Sequence, residues 1–261
     1  MSISQGFLAP DFPVSNEHIR RDYAPWFDVA ESFNNLGMRV LPNVKADLNN
    51  NQHLVAATLY GRALTSFQAA FILTERGMLA DARTVIRAAA ETVIVLCAVM
   101  KDSKVCDLLV DRHLWHHRTL RNAWLADPQA TAEMTAEDVV TVKAILADAN
   151  ESYPRVMDLK SDPVVIATLA QQAGVTALYN AIYRETSGDA AHTSLDALNR
   201  HICADSNNNV AGLKFGPDVT DLAITLSDLI SVLGHGLNAV QELFHLSQFN
   251  NELGCVDNRS L

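Results

Sequence analysis

The segment from Leu79 to Lys101, LADARTVIRAAAETVIVLCAVMK, restricts the fold more than any other part of the chain. It holds no Gly or Pro, its apolar residues recur at helical spacing, and from Ala88 to Met100 only Glu91 and Thr92 interrupt the apolar surface. A helix without a polar face has to be enclosed, so the pattern predicts a central helix surrounded by others. The apolar run from Ala88 to Met100 is too short to span a bilayer and carries Glu91.

Local stop and start signals lay out the rest. Residues 1–19 read as an irregular arm with Pro10 and Pro13, and a first helix runs from Asp22 to Val40, ahead of Pro42. A second, Asp47 to Arg76, closes on Gly77, a residue favoured just past a helix end. Beyond the central helix, Ser103 caps a helix to Ala126, and Thr135 with Glu137 and Asp138 opens one to Ser152. Asp162-Pro163 starts the next, ending near Gly174, and Val175 to Glu185 is helical beyond it. Ser187-Gly188 interrupts, and Asp189 caps a short helix through His201.

Residues 204–216 read as a loop with an extended piece from Val210 to Phe215, and Gly216-Pro217-Asp218 opens a long last helix to Ser247. Within that helix Gly234-His235-Gly236 reads as a kink, the other reading being a site of close helix contact. No repeat and no linker divides the chain. The expectation is an all-α, single-domain bundle of about seven to eight helices. It covers residues 20–247 and leaves a polar tail at 248–261.

A net charge of -10 opposes broad nonspecific binding to nucleic acid or to anionic membranes, although a local basic patch can still hold a phosphate. The first residues, MSISQGFLAPDF, carry neither a basic region nor a long apolar run, so they do not read as a secretory signal. Cys97, Cys106, Cys203 and Cys255 form no CxxC pair, which fits free thiols in a reducing cytoplasm. The expected protein is soluble, cytoplasmic and homodimeric.

Three polar clusters stand out against this background. Arg83, Arg87 and Glu91 sit four apart, within roughly 80° of arc on the central helix. One reading is an exposed ion pair worth a few tenths of a kcal/mol. The other is a partly buried arginine, which needs a carboxylate or a phosphate as partner.

His113 and His116 fall inside the apolar arc set by Val105, Leu109, Leu120, Ala123 and Trp124, and His117 lies at its edge. That arrangement points the first two inward, either as hydrogen-bonded core histidines or as ligand-binding groups sharing a pocket with Arg83 and Arg87. Histidines at i and i+4 can chelate a metal, but the Glu-x-x-His pairs of helical di-metal sites are missing, so no metal or other cofactor is expected.

The third cluster is YRETSGDAAH, residues 183–192. If Asp189 caps a helix, His192 stands in its first turn, where the dipole favours a neutral imidazole and a bound anion. Arginine with histidine suits metal-free phosphodiester cleavage, with His192 moving a proton at the 2′-hydroxyl and Arg184 or Arg87 holding the phosphorane charge. No G-x-S-x-G elbow surrounds Ser187, which argues against a serine nucleophile. The bland alternative is a helix joint, with Ser187 and Asp189 as caps and Gly188 for its permissive backbone.

LYGRALTSFQAAFILTERGMLADARTVIRAAAETVIVL, the His/Arg-rich helix after it and LYNAIYRETSGDAAHTSLDAL together resemble a bacterial domain-of-unknown-function family, number 5677, over about residues 55–203. The resemblance pairs an Arg-x-x-x-Glu helix with a later Tyr-Arg-x-x-Ser…His segment, here Arg87, Glu91, Tyr183, Arg184, Ser187 and His192. More loosely, the arrangement is similar to the HEPN superfamily of up-and-down helical bundles, many of them metal-independent ribonucleases of toxin and phage-defence systems. Those enzymes keep arginine and histidine closer together on one helix, whereas Gly188 stands between Arg184 and His192 here.

The functional expectation is a pocket that binds a phosphate-bearing ligand or RNA, built from Arg83, Arg87, Glu91, His113, His116, Arg184, Ser187 and His192. Its sharp form is a ribonuclease. The rival is a non-catalytic sensor or scaffold whose polar pocket is structural or regulatory.

Overall fold

The computed structural model describes residue 7 and residues 13–188, 194–207 and 209–252. Among these the secondary structure is helical apart from one small hairpin. Two compact units are present, Met1–Lys101 with Ile166–Leu261, and Asp102–Val165.

The larger unit contains α1 (Pro13–Asp22), α2 (Ala24–Val40), α3 (Asn51–Glu75) and α4 (Leu79–Lys101). The smaller unit contributes α5 (Val105–Ala126), α6 (Pro128–Glu133), α7 (Ala136–Ser152) and α8 (Pro154–Met157). The chain then returns to the larger unit through α9 (Ile166–Gln172), α10 (Thr176–Leu178), α11 (Arg184–Thr186) and α12 (Leu195–Asn199). Strands β1 (Ile202–Ala204) and β2 (Val210–Leu213) precede α13 (Leu222–Leu243).

Helix α4 is the enclosed helix its pattern predicts. It packs against α3, α9 and α13, and every residue from Thr92 to Val99 is buried. Helix α13 packs against α2, α3 and α4 and is helical throughout Gly234-His235-Gly236. A side chain at Gly236 would stand 3.4 Å from Val93, and one at Gly234 would stand 3.3 Å from the Phe33 ring. Both glycines serve close packing. By length and composition α13 could also cross a bilayer. Here Leu222, Leu226, Leu229, Leu233 and Leu237 are buried in the bundle core.

Gly77 joins α3 to α4 with φ at +70°. The Met78 amide donates to the Leu73 carbonyl at 2.9 Å, the wrap that ends a helix on a left-handed residue. A Cβ on Gly77 would lie 2.8 Å from the Pro217 Cβ. Gly77→Ala is therefore expected to destabilise the protein by about 2–4 kcal/mol, backbone strain adding to the clash. Urea denaturation of the variant beside wild type checks this.

Several boundaries differ from the sequence reading for local reasons. Part of the arm, from Pro13, is helical as α1. Helix α5 starts after Ser103, because the Asp102 carboxylate accepts from the Lys104 amide at 2.9 Å and holds a turn. Asp162 likewise accepts from the Val164 amide, so α9 begins at Ile166 instead of Pro163. Asp218 takes the Thr220 amide at 3.1 Å and delays α13 to Leu222.

The extended piece near Val210 pairs antiparallel with β1, Ile202 opposite Leu213 and Cys203 opposite Gly212. Arg200 and Lys214 bind Asp218 at 3.4 and 2.9 Å, tying this hairpin to the start of α13. Burial acts to raise the Asp218 carboxyl, but hydrogen bonds from Thr220 and Lys214 outweigh it and bring it down to about 2. Cys97, Cys106 and Cys203 are free thiols.

In the smaller unit the Thr135 and Asp138 capping box forms as its spacing predicts. Arg118 donates to the Val156 and Leu159 carbonyls at 2.7 and 3.2 Å, Arg112 pairs with Asp162 at 3.0 Å, and Arg155 pairs with Asp111 at 2.8 Å.

Candidate functional site

The site forms where α4 meets the segment from α10 to Gly188. Between α10 and α11, Tyr179–Tyr183 form a π-helical turn, and Ser187 and Gly188 widen the helix again after α11. Such turns leave backbone carbonyls in need of partners, and side-chain hydroxyls supply them. Thr186 Oγ1 donates to the Ile182 carbonyl at 2.6 Å, and Ser187 Oγ donates to the Tyr183 carbonyl. Leu178, Ile182 and Thr186 are buried in the larger unit, where this segment packs on α4. Tyr179, Tyr183 and Ser187 form the adjoining stripe, the two phenol rings stacked with centroids 5.3 Å apart.

Arg87 of α4 reaches that stripe. Its Nε donates to Ser187 Oγ at 2.7 Å, its Nη2 donates to Tyr183 Oη at 3.0 Å, and its guanidinium carbon lies 4.6 Å from the Tyr183 ring centroid. Among the described residues no carboxylate lies within ion-pair distance of Arg87. A half-buried cation is thus held by two hydroxyls and an aromatic face, none of which cancels its charge.

One turn earlier, Arg83 differs. Its side chain is 3% exposed, with Glu185 Oε1 at 3.5 Å and Asp228 Oδ2 at 3.8 Å. Burial pushes the Asp228 carboxyl up to about 7, Arg83 opposes the shift and Glu185 adds to it. The opposition is weak because the ion pair is long and Arg83 shares its charge with Glu185.

The structure therefore brings Arg83, Arg87 and Ser187 together, with Tyr183, Glu185 and Asp228 beside them. Glu91 is half-buried one turn beyond Arg87. Arg184 is exposed, and its side chain makes no hydrogen bond or ion pair among the described residues, while its backbone amide donates to the Tyr179 carbonyl. His192 and Asp189 lie outside the described residues.

His113 and His116 belong to the smaller unit and are both exposed, so the inward orientation expected of them is corrected. The apolar arc that carries them is left open, with Trp124 42% exposed on it. Their rings cluster with that of His117, at centroid distances of 4.3 Å from His113 and 5.7 Å from His116. Among the described residues no three His, Cys, Asp or Glu side chains are grouped closely enough to hold a metal ion.

Asp228 was missed in the sequence although a signal existed. It is the one carboxylate between Leu222 and Gln241, and a lone charge in an apolar helix calls for a buried partner.

No curated protein and no solved structure matches the chain. The model of a family of unknown function, DUF5677, matches residues 53–209, a span that includes α4 and the whole Tyr179–Gly188 segment. With more than half of its length matched, Arg87 and its hydroxyl partners included, the chain belongs to the DUF5677 family.

Proposed function

We propose that this is a cytoplasmic RNA-binding protein that holds a phosphate at Arg87 and, with His192, cleaves the chain without a metal. The observation that supports it is Arg87 itself, half-buried, oriented by Ser187 and Tyr183, and left with its charge uncompensated among the described residues. A phosphate diester is the anion that matches a guanidinium fork. In the reaction His192 takes the proton of the 2′-hydroxyl, the 2′-oxygen attacks phosphorus, and the P–O5′ bond breaks. The products are a 2′,3′-cyclic phosphate and a 5′-hydroxyl, whose proton is the one His192 took from the 2′-hydroxyl and returns. Arg87 holds the charge that builds on the non-bridging oxygens.

The Arg83–Glu185–Asp228 cluster favours a second reading, because a buried cation balanced by its own carboxylates serves structure. On that reading the whole polar joint is a scaffold or a sensor element.

Purified protein incubated with total RNA in EDTA, beside His192→Ala, separates the two. Cleavage by wild type that leaves cyclic phosphate ends and is lost in the variant is the expected result. Wild type that neither cleaves nor binds RNA leaves the scaffold reading in place.

A further inference from the structure

We propose that the face of α5 carrying His113, His117, Arg121 and Trp124 is a docking stripe for single-stranded RNA. The choice of RNA among polyanions rests on the reading of Arg87, while the stripe itself rests on its own geometry.

The four residues are spaced i, i+4, i+8 and i+11, which keeps them within about 80° of arc along about 16 Å of helix. His113 is exposed, Trp124 is 42% exposed, and Val110 on the same arc is 47% exposed. The other arginines near this helix are already engaged, Arg112 with Asp162, Arg155 with Asp111 and Arg118 with two backbone carbonyls. Arg121 is different. Among the described residues no carboxylate lies within ion-pair distance of it.

Desolvation and then the neighbouring His113, Arg121 and His116 hold the His117 imidazole below its ordinary range. All three of those neighbours are basic. The local field is therefore positive on a chain whose net charge is -10.

An exposed indole beside cations is what a single strand requires, since every base offers a face for stacking and every linkage a phosphate. In duplex RNA the bases are stacked on one another and the indole has nothing to cover. A second copy of this chain is a poor occupant, because a two-fold contact would set this basic stripe against itself.

The test uses the full-length protein and a fluorescein-labelled 12-nucleotide RNA. Its 2′-hydroxyls are methylated, so that it binds without being cleaved. Binding is expected to tighten from pH 7.5 to 5.5 as the His117 imidazole gains charge. Trp124→Ala is expected to weaken it at least about fivefold, from the lost stacking. Arg121→Gln should flatten the dependence of log affinity on log salt by about 0.7.

Equal binding of single strand and duplex, wild-type affinity in both variants, or no binding by wild type would overturn the proposal. Cleavage by Arg87→Gln is read separately on unmodified RNA. Loss there with unchanged binding in the stripe variants removes the stripe and keeps the Arg87 reading, and the opposite pattern does the reverse.

Discussion

Arg87→Gln is expected to lower the rate of RNA cleavage by about two to three orders of magnitude, the usual cost of removing one donor to a developing oxyanion. Glutamine keeps much of the volume and can still meet Ser187, but it carries no charge and lacks the fork that spans two oxygens. Arg87→Lys is expected to restore little of the activity, because an ammonium is a compact point charge without the planar fork that lets Nε and Nη2 meet Ser187 and Tyr183 while other N–H groups face a phosphate. Tyr183→Phe and Ser187→Ala leave the guanidinium in place and remove one of its supports, so a loss of about tenfold is expected. Single-turnover cleavage with a defined RNA measures these ratios. Thermal unfolding of each variant shows whether the fold persists. Cleavage by Arg87→Gln at the wild-type rate would sink the phosphate-clamp role.

Arg83→Met is expected to cost about 1–3 kcal/mol of stability, since it removes the buried cation that Glu185 and Asp228 share and leaves Asp228 to hold its proton without that partner. Adding Asp228→Asn should recover part of that loss above pH 7, where the aspartate would otherwise have to ionise or hold a proton at a cost. The single variant Asp228→Asn makes the same point through pH. The Asp228 carboxyl is raised to about 7 in the folded chain, against about 3.9 when unfolded. Between those values the native state keeps a proton that the unfolded state has released. The Asp228 contribution to wild-type stability therefore falls as pH rises through that interval and levels off above 7. Asparagine cannot ionise. Urea denaturation from pH 4.5 to 8 should show the variant gaining on wild type by roughly 2–4 kcal/mol across the range. A difference that stays flat with pH would mean that Asp228 does not hold its proton.

Helix α4 has the bounds its sequence predicts, Leu79–Lys101, and its enclosure follows from a run with no polar face. Gly77 as helix stop and the Thr135–Asp138 box were legible for the same reason, since each is a code spelled within four or five residues. The Arg87 and Ser187 motifs could be listed from the sequence and matched to a family. Their direct bond joins positions 100 apart, and no local pattern specifies it.

The widened turn at Tyr179–Tyr183 was invisible because packing on α4 and the hydroxyls of Thr186 and Ser187 sustain it, not propensity. Periodicity placed His113 and His116 on an apolar arc, but whether an arc is covered depends on neighbours supplied by other parts of the chain. The sequence by itself determined an all-α protein with α4 enclosed and a polar stripe of Arg83, Arg87 and Glu91 on that helix. Tertiary structure decided the charge balance: Arg83 meets Glu185 and Asp228 and is neutralised, while Arg87, one turn on, meets only hydroxyls and a ring among the described residues. Helical periodicity sets which residues share a face, whereas long-range packing sets which groups reach it, and a cation's availability to a ligand depends on those groups.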